Sequence, residues 1–242
     1  MGWCSSVGWC SSVGWCSSVV ISAGIGWTTI SALATAGGTL VLAIATFASV
    51  RSANRAARTA EQAFRVGLRP VLFGSRLQDP PQKIRWGDDY WGTLPGGLAL
   101  LDVVDKNLYM AMSIRNVGSG IGVLHSWRAE PLARPGSPQL GAALQRPPLE
   151  SFRPQLRDLY VPPGDIGFWQ AAIRDPEDPD YALLLDSMEN QRGIFVDLIY
   201  GDHEGGQRTI GRFVINRRDG EEGPTWMCYV IRHWNLDRPD PR

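Results

Sequence analysis

Residues 108–130, LYMAMSIRNVGSGIGVLHSWRAE, decide the fold class. Leu108, Met110, Met112 and Ile114 alternate with Tyr109, Ala111, Ser113 and Arg115, the two-residue period of a strand with one face on a core. A second strand-like run, Ile121–Ala129, follows across Asn116-Val117-Gly118-Ser119-Gly120. Asn116, Gly118 and Gly120 are expected to form a turn between two strands, the glycines supplying positive φ. The segment is not a dinucleotide-binding fingerprint. Val123 stands where Gly-x-Gly-x-x-Gly needs its last glycine, and strand-like sequence follows where a helix should open.

Outward from this stretch, short apolar runs alternate with Gly, Pro, Asp and Asn clusters. Strands are expected at Val71–Leu77, Lys83–Trp86, Leu98–Val103, Asp158–Val161, Ile166–Arg174, Gly193–Tyr200, Arg208–Asn216 and Thr225–Trp234. Strands so spaced point to an antiparallel sandwich or barrel. A βαβ fold would need helices between them, and only Asp180–Asn190 reads as one, with Asp178-Pro179-Asp180 as its cap. Pro131–Arg153 reads as a long loop.

Toward the N-terminus lies VVISAGIGWTTISALATAGGTLVLAIATFASV, residues 19–50, without a charged residue. A bilayer core of about 30 Å needs about 20 apolar residues at a rise of about 1.5 Å each, and Ile30–Val50 meets that length. Ala34-Thr35-Ala36 has the form of a signal-peptidase site, but no positive charge precedes the run and strongly apolar sequence follows it. Arg51, Arg55, Arg58, Arg65 and Arg69 follow the apolar run and no Lys or Arg precedes it, so the positive-inside rule puts residues 51 onward in the cytoplasm of a bacterial inner membrane. Residues 51–69 form an amphipathic helix. These five arginines are its expected contacts with the membrane surface, and its Ala stripe is the alternative surface for pairing two protomers.

The chain of 242 residues carries 24 basic and 24 acidic residues. Residues 51–69 hold five Arg and one Glu, leaving 19 basic and 23 acidic residues in 70–242. A domain of net −4 lacks the basic footprint of nucleic-acid binding. Residues 2–19 are three copies of Gly-Trp-Cys-Ser-Ser-Val and hold three of the four cysteines. Slippage in a DNA repeat, or a start site placed too early, explains so exact a repeat. The functional alternative is a tail for disulfides or an interfacial Trp anchor. Cys228, alone in a strand, reads as a small buried hydrophobe. The layout is therefore a repeat tail (1–19), a transmembrane segment (20–50), a juxtamembrane helix (51–69), a β domain (70–234) and a C-terminal tail (235–242).

The Asn-x-Gly-x-Gly turn after a strand, followed by the Pro163-Gly164-Asp165 turn into another, is similar to Ig-like β-sandwich modules of bacterial envelope proteins. The arrangement of one membrane helix and such a module also looks like uncharacterised bacterial single-pass proteins. The resemblance implies an Ig-like sandwich and an anchor. It gives Asn116, Gly118, Gly120 and Gly164 turn-forming roles and implies no activity.

Candidate chemistry is sparse. Trp86, Asp88, Asp89, Tyr90 and Trp91 crowd one expected loop, and aromatics flanked by acids suit a peptide or sugar. Asp202-His203-Glu204, with His125, is a rival metal site for an enzyme, although adjacent side chains converge poorly on one ion and a polar turn closed by Gly205-Gly206 is the simpler reading. Neither a Gly-x-Ser-x-Gly elbow nor a P-loop is present. The expectation is a membrane-anchored binding or assembly module with no catalysis and no cofactor or metal. Its partners are the lipid bilayer and a protein partner or second copy, and an exported envelope domain is the topological rival.

Overall fold

A computed structural model describes residues 26–132, 145–220 and 223–240, the side chains of residues 65, 66 and 220 excepted. The hexapeptide repeat therefore lies outside the described residues, as do residues 133–144 of the expected loop. The chain divides into two compact units, residues 1–58 and 59–242.

One helix, α1 (Trp27–Gly67), runs without a break from residue 27 of the apolar run into the basic segment. It ends at Gly67, as the approach to Pro70 leads one to expect. By length and composition it is able to cross a membrane, a property that a signal sequence near an N-terminus shares. Its hydroxyls are used locally. Thr35 Oγ1 donates to the Ser31 carbonyl at 2.9 Å and Thr46 Oγ1 to the Leu42 carbonyl at 2.7 Å, so neither exposes an unpaired polar group on the apolar surface.

The second unit is mainly antiparallel β. Its strands are β1 (Leu72–Gly74), β2 (Gln82–Arg85), β3 (Trp91–Leu94), β4 (Leu98–Val104), β5 (Asn107–Asn116), β6 (Gly122–Pro131), β7 (Arg153–Val161), β8 (Ile166–Ile173), β9 (Ile194–Gly201), β10 (Thr209–Gly220) and β11 (Gly223–Asn235). A 3₁₀ turn at Leu149–Ser151 and the helix α2 (Tyr181–Glu189) complete it. Nine strands share one sheet. Its order is β8-β5-β4-β11-β10-β9-β6-β7, and β1 lies on the same edge of β5 as β4. The sheet is a curled half-barrel. Two face-packed sheets of an Ig-like sandwich are not what the ladders form; of the two forms that the strand spacing admitted, the curl goes toward the barrel.

The curl has a consequence for connections. β5 and β6 follow one another but lie near opposite ends of the sheet, so the Asn116–Ile121 segment is not a hairpin turn. β7 and β8, joined by the Pro162–Asp165 turn, are the two end strands, and among the described residues no ladder joins them. The sheet's ends therefore face each other along a seam, with β8 and β5 on one side and β7 and β6 on the other.

Asn116 fastens one end of that seam. Its side chain is fully buried. Oδ1 accepts from the Val71 and Gly118 amides at 3.1 and 2.9 Å, and Nδ2 donates to the Gly120 and Val161 carbonyls at 2.6 and 3.0 Å. Its backbone bonds the other turn, accepting from Gly164 N and donating to the Asp165 carbonyl. Gly164 has the expected positive φ of 73°. Gly118 and Gly120 do not, and they are glycine for another reason. A Cβ on Gly120 would lie 1.6 Å from the Leu68 carbonyl oxygen, and one on Gly118 would lie 2.2 Å from that of Arg69. The chain leaving α1 presses on this turn and leaves no room for side chains.

The concave face holds the main core, including Met110, Met112, Trp169, Leu198 and Phe213. α2 adds Tyr181, Leu184 and Met188 to it, and Tyr181 Oη donates to the Lys106 carbonyl at 2.9 Å. The expected cap on α2 is different in detail. Asp180 makes no side-chain capping bond; its carboxylate and that of Asp178 hold Arg153 instead, each at 2.5 Å. On the other face of β5, Tyr109 and Ala111 are covered by Ile84, Trp86 and Leu94 of the β2–β3 hairpin. This explains why β5 is buried on both faces. β3 itself lies in sequence read as loop.

Asn116→Ala should lower the unfolding free energy by about 3–5 kcal/mol, because it orphans several buried backbone groups at once. The exposed Ser119→Ala in the same turn should change it by no more than about 0.5 kcal/mol. Urea unfolding of the full chain in detergent micelles, followed by tryptophan fluorescence, measures both. Equal stability of the two variants would show that Asn116 does not hold the seam.

Candidate binding site

The other end of the seam is open. β7 pairs with β6 through Val161–Leu159 and again through Pro154–Arg153. Between these points the four β7 residues 155–158 stand opposite His125 alone. His125 is also the extra residue where β6 pairs with β9. A bulge of this kind detaches a strand locally and re-aims its side chains. Here it leaves a cavity of about 950 Å³ between Arg153–Arg157 of β7, Gln170–Ala172 of β8 with Arg174 just beyond it, and Arg85–Asp88 of the β2–β3 hairpin, with Trp127 of β6 in its wall. The volume falls in the range of small-molecule sites.

One side chain bonds across the seam where a ladder would run, and two more bonds join β8 to the β2–β3 hairpin. Gln155 Nε2 donates to the Gln170 carbonyl at 3.2 Å, Gln170 Nε2 to the Arg85 carbonyl at 3.2 Å, and Trp86 Nε1 to the Ala171 carbonyl at 3.1 Å. Because both amide nitrogens are committed to carbonyls, both Oε1 atoms face away from them, and both are buried without a donor among the described residues. Trp127 meets Trp169 edge-on, with centroids 5.6 Å apart, and Arg153 lies 5.5 Å above the Trp127 ring.

Four arginines and one carboxylate line the cavity. Arg153 is held by Asp178 and Asp180, and these bonds raise its pKa, the Asp178 contact foremost. Arg174 Nε donates to Asp88 at 2.9 Å, and Tyr109 Oη donates to the same carboxylate at 2.6 Å. The bond from Arg174 is the main cause that holds the Asp88 carboxyl down at about 2. Arg85 pairs with Asp89 at the hairpin tip. Arg157 lies over the Phe168 ring at 6.0 Å and has no carboxylate partner among the described residues. Among the described residues the lining contains no hydroxyl, thiol, imidazole or amine side chain and one carboxylate, which is a weak base.

The expected ligand loop is the turn of the β2–β3 hairpin, and it divides. Trp86 and Asp88 reach the cavity wall. Asp89 serves Arg85. Tyr90 donates to Asp102 and stacks on Tyr109 with centroids 4.1 Å apart. Trp91 points to solvent, 60% exposed. Arg51, Arg55 and Arg58 are exposed on α1, and the side chain of Arg65 lies outside the described residues. Arg69 leaves the membrane-contact set. It is buried, bonded to Thr209 Oγ1 at 2.6 Å and Asn235 Oδ1 at 2.5 Å, because the chain beyond α1 enters the β unit there. Among the described residues no group of three His, Cys, Asp or Glu is placed for a metal ion. Asp202 accepts from the amides of Glu204 and Gly206 and so closes its own turn. Cys228 is buried, which pushes its thiol up to about 12. Arg153, Gln155, Arg157, Gln170 and Arg174 were not visible as a set in the sequence. Pro154 was the one available signal, since proline marks an edge or irregular strand.

No family model and no curated protein matches this chain.

Asp88→Asn tests the Arg174–Tyr109 cluster. The carboxyl titrates lower in the folded chain than its ordinary value of 3.8, so its ionised form stabilises the fold above about pH 4 and that contribution is lost as pH falls toward about 2. The variant should melt below wild type at neutral pH, and the gap should close on acidification. A gap that persists unchanged at about pH 2 would contradict the assignment.

Proposed function

We propose that the chain is a single-pass bacterial inner-membrane protein whose cytoplasmic β domain is a binding module without catalysis of its own, with the β7–β8 seam as its binding site. The carrying observation is the exposure of an apolar helix. Leu33, Leu40, Val41, Leu42, Ile44 and Phe47 of α1 are each more than 60% exposed. So long an apolar surface needs a non-aqueous partner, and the lipid bilayer is the one its length fits. The arginines that follow Val50, with none before it, support the cytoplasmic side for the β domain. The seam supports binding over catalysis: it offers a cavity lined by four arginines, and among the described residues it holds no nucleophile beside a base. The bilayer is the first partner in this reading, and a protein partner or second copy on the Ala stripe of α1 is the second.

Membrane extraction and topology test it together. The full chain should stay in the membrane pellet after alkaline wash, and deletion of residues 27–50 should move most of it to the supernatant. A reporter active only in the cytoplasm, fused after Arg242, should give signal. Release by alkaline wash would remove the anchor, and signal only from an external reporter would make the protein an envelope binding module.

A further inference from the structure

We propose that residues 236–240 form a releasable strap that locks the chain where it leaves α1, so that freeing the strap loosens this junction while the sheet stays folded. The proposal depends neither on the seam as a binding site nor on the bilayer as a partner. It starts from Arg69, the first buried residue after α1. Nη2 of Arg69 bonds Thr209 Oγ1 and Asn235 Oδ1, and Asp237, 3.8 Å away, is its one carboxylate partner among the described residues. The counter-ion of this buried guanidinium therefore lies on the strap, and a buried cation deprived of its carboxylate is destabilised.

The strap also sets Asn235, the last residue of β11, which is 8% exposed. The backbone amide of Asn235 donates to Asp240 Oδ1 at 2.6 Å, and Nδ2 donates to the Pro239 carbonyl at 3.0 Å. With Nδ2 committed to that carbonyl, Oδ1 is turned to Arg69. The reverse orientation serves neither neighbour, because a guanidinium only donates and a carbonyl only accepts. The strap thus holds the carboxamide in the one sense that Arg69 can use.

The lock is deep on one side and shallow on the other. Arg69 and Asn235 are buried, whereas residues 237–240 are exposed and Leu236 is half-buried. Apart from the contacts to Asn235 and Arg69, the strap's bond to the sheet among the described residues runs from the Leu236 amide to the Arg208 carbonyl at 2.9 Å. A segment with so few bonds and so little buried apolar surface opens at the low end of the free-energy scale. Just beyond Arg69, the amides of Val71 and Leu72 donate to Asn116 Oδ1 and Tyr200 Oη, and their protection reports whether the junction is seated. A partner that captures residues 236–240 is in this way felt where the chain leaves α1.

The test is hydrogen exchange of the full chain in detergent micelles, read by mass spectrometry on peptides covering residues 68–73 and 194–201. With Gly-Ser-Gly-Ser-Gly in place of residues 236–240, residues 68–73 should exchange about tenfold faster, and residues 194–201, in β9, should keep their rate. Asp237→Asn with Asp240→Asn, which weakens the strap without replacing it, should act in the same direction. Asn235→Asp offers acceptor oxygens in either orientation and a carboxylate of its own to Arg69. Added to the strapless chain, it should return residues 68–73 to within about threefold of the wild-type rate. The proposal is overturned if loss of the strap leaves residues 68–73 at the wild-type rate, or if Asn235→Asp restores nothing. It is equally overturned if residues 194–201 accelerate as much as residues 68–73, since the strap would then only add to overall stability. If the strapless chain does not fold, the Asp237 and Asp240 double variant decides by the same two peptides.

Discussion

The β unit is held closed by the carboxamide of Asn116. A curled antiparallel sheet that stops short of a barrel has two end strands whose outer edges need hydrogen-bond partners. In this protein those strands are consecutive in sequence, so a short turn brings them together without pairing them. Asn116 works at that point with side chain and backbone together. It reaches β1 through Val71, its own turn through Gly118 and Gly120, the end of β7 through Val161, and the following turn through Gly164 and Asp165. A single side chain with two donors and two acceptors thus ties the end of β7 to β5, two strands that no ladder links among the described residues. Asp would lack the donors and Leu would lack everything, so the constraint is chemical and not merely steric.

That fastening sets the shape of the rest. At the turn the seam is tight: a Cβ on Gly167 would come within 2.9 Å of Val161 Cγ2. Farther along, β7 detaches from β6 at the His125 bulge, and the seam widens into the cavity. The same open edge therefore accounts for two features that look unrelated. It is why Gln155 spends its donor on the Gln170 carbonyl, and it is why the neighbouring side chains are free to line a cavity. A closed ladder here would satisfy the backbone and leave no site.

How far this was legible in the sequence follows from range. The apolar helix and its stop at Gly67, the alternation of β5 and the outlines of most strands are local patterns, and local patterns survive without tertiary context. The turn was legible, but its cause was not. Gly118 and Gly120 look like positive-φ glycines, whereas the carbonyls of Leu68 and Arg69, some 50 residues earlier, exclude their side chains. Arg69 looked like the last of a lipid-facing series for the same reason: its partners Thr209 and Asn235 are 140 and 166 residues away. β3 was missed because its Trp and Gly read as loop until the hairpin lies on Tyr109 and Ala111. The cavity drew only Trp86 and Asp88 from the expected ligand loop, since its wall is assembled from four separate segments.

The distribution of ion pairs bears on what the cavity is for. Arginine is the dominant cation in this chain, and where it is buried it is neutralised with care. Arg212, 3% exposed at its side chain, is bound through two nitrogens to Asp197 and lies between the rings of Phe195 and Trp234. Arg128 shares the same Asp197 and pairs with Glu130. Uncompensated charge in such places costs several kcal/mol, so these pairings belong to the fold. At the seam Arg153, part-buried, and Arg174, exposed, are also paired, with acids from the α2 approach and the β2–β3 hairpin. Those two guanidiniums are thereby fixed as walls. Arg157, on the detached stretch of β7 and against an aromatic ring, is the cation that the fold does not need to neutralise, and a cation with that freedom is one that a ligand can use.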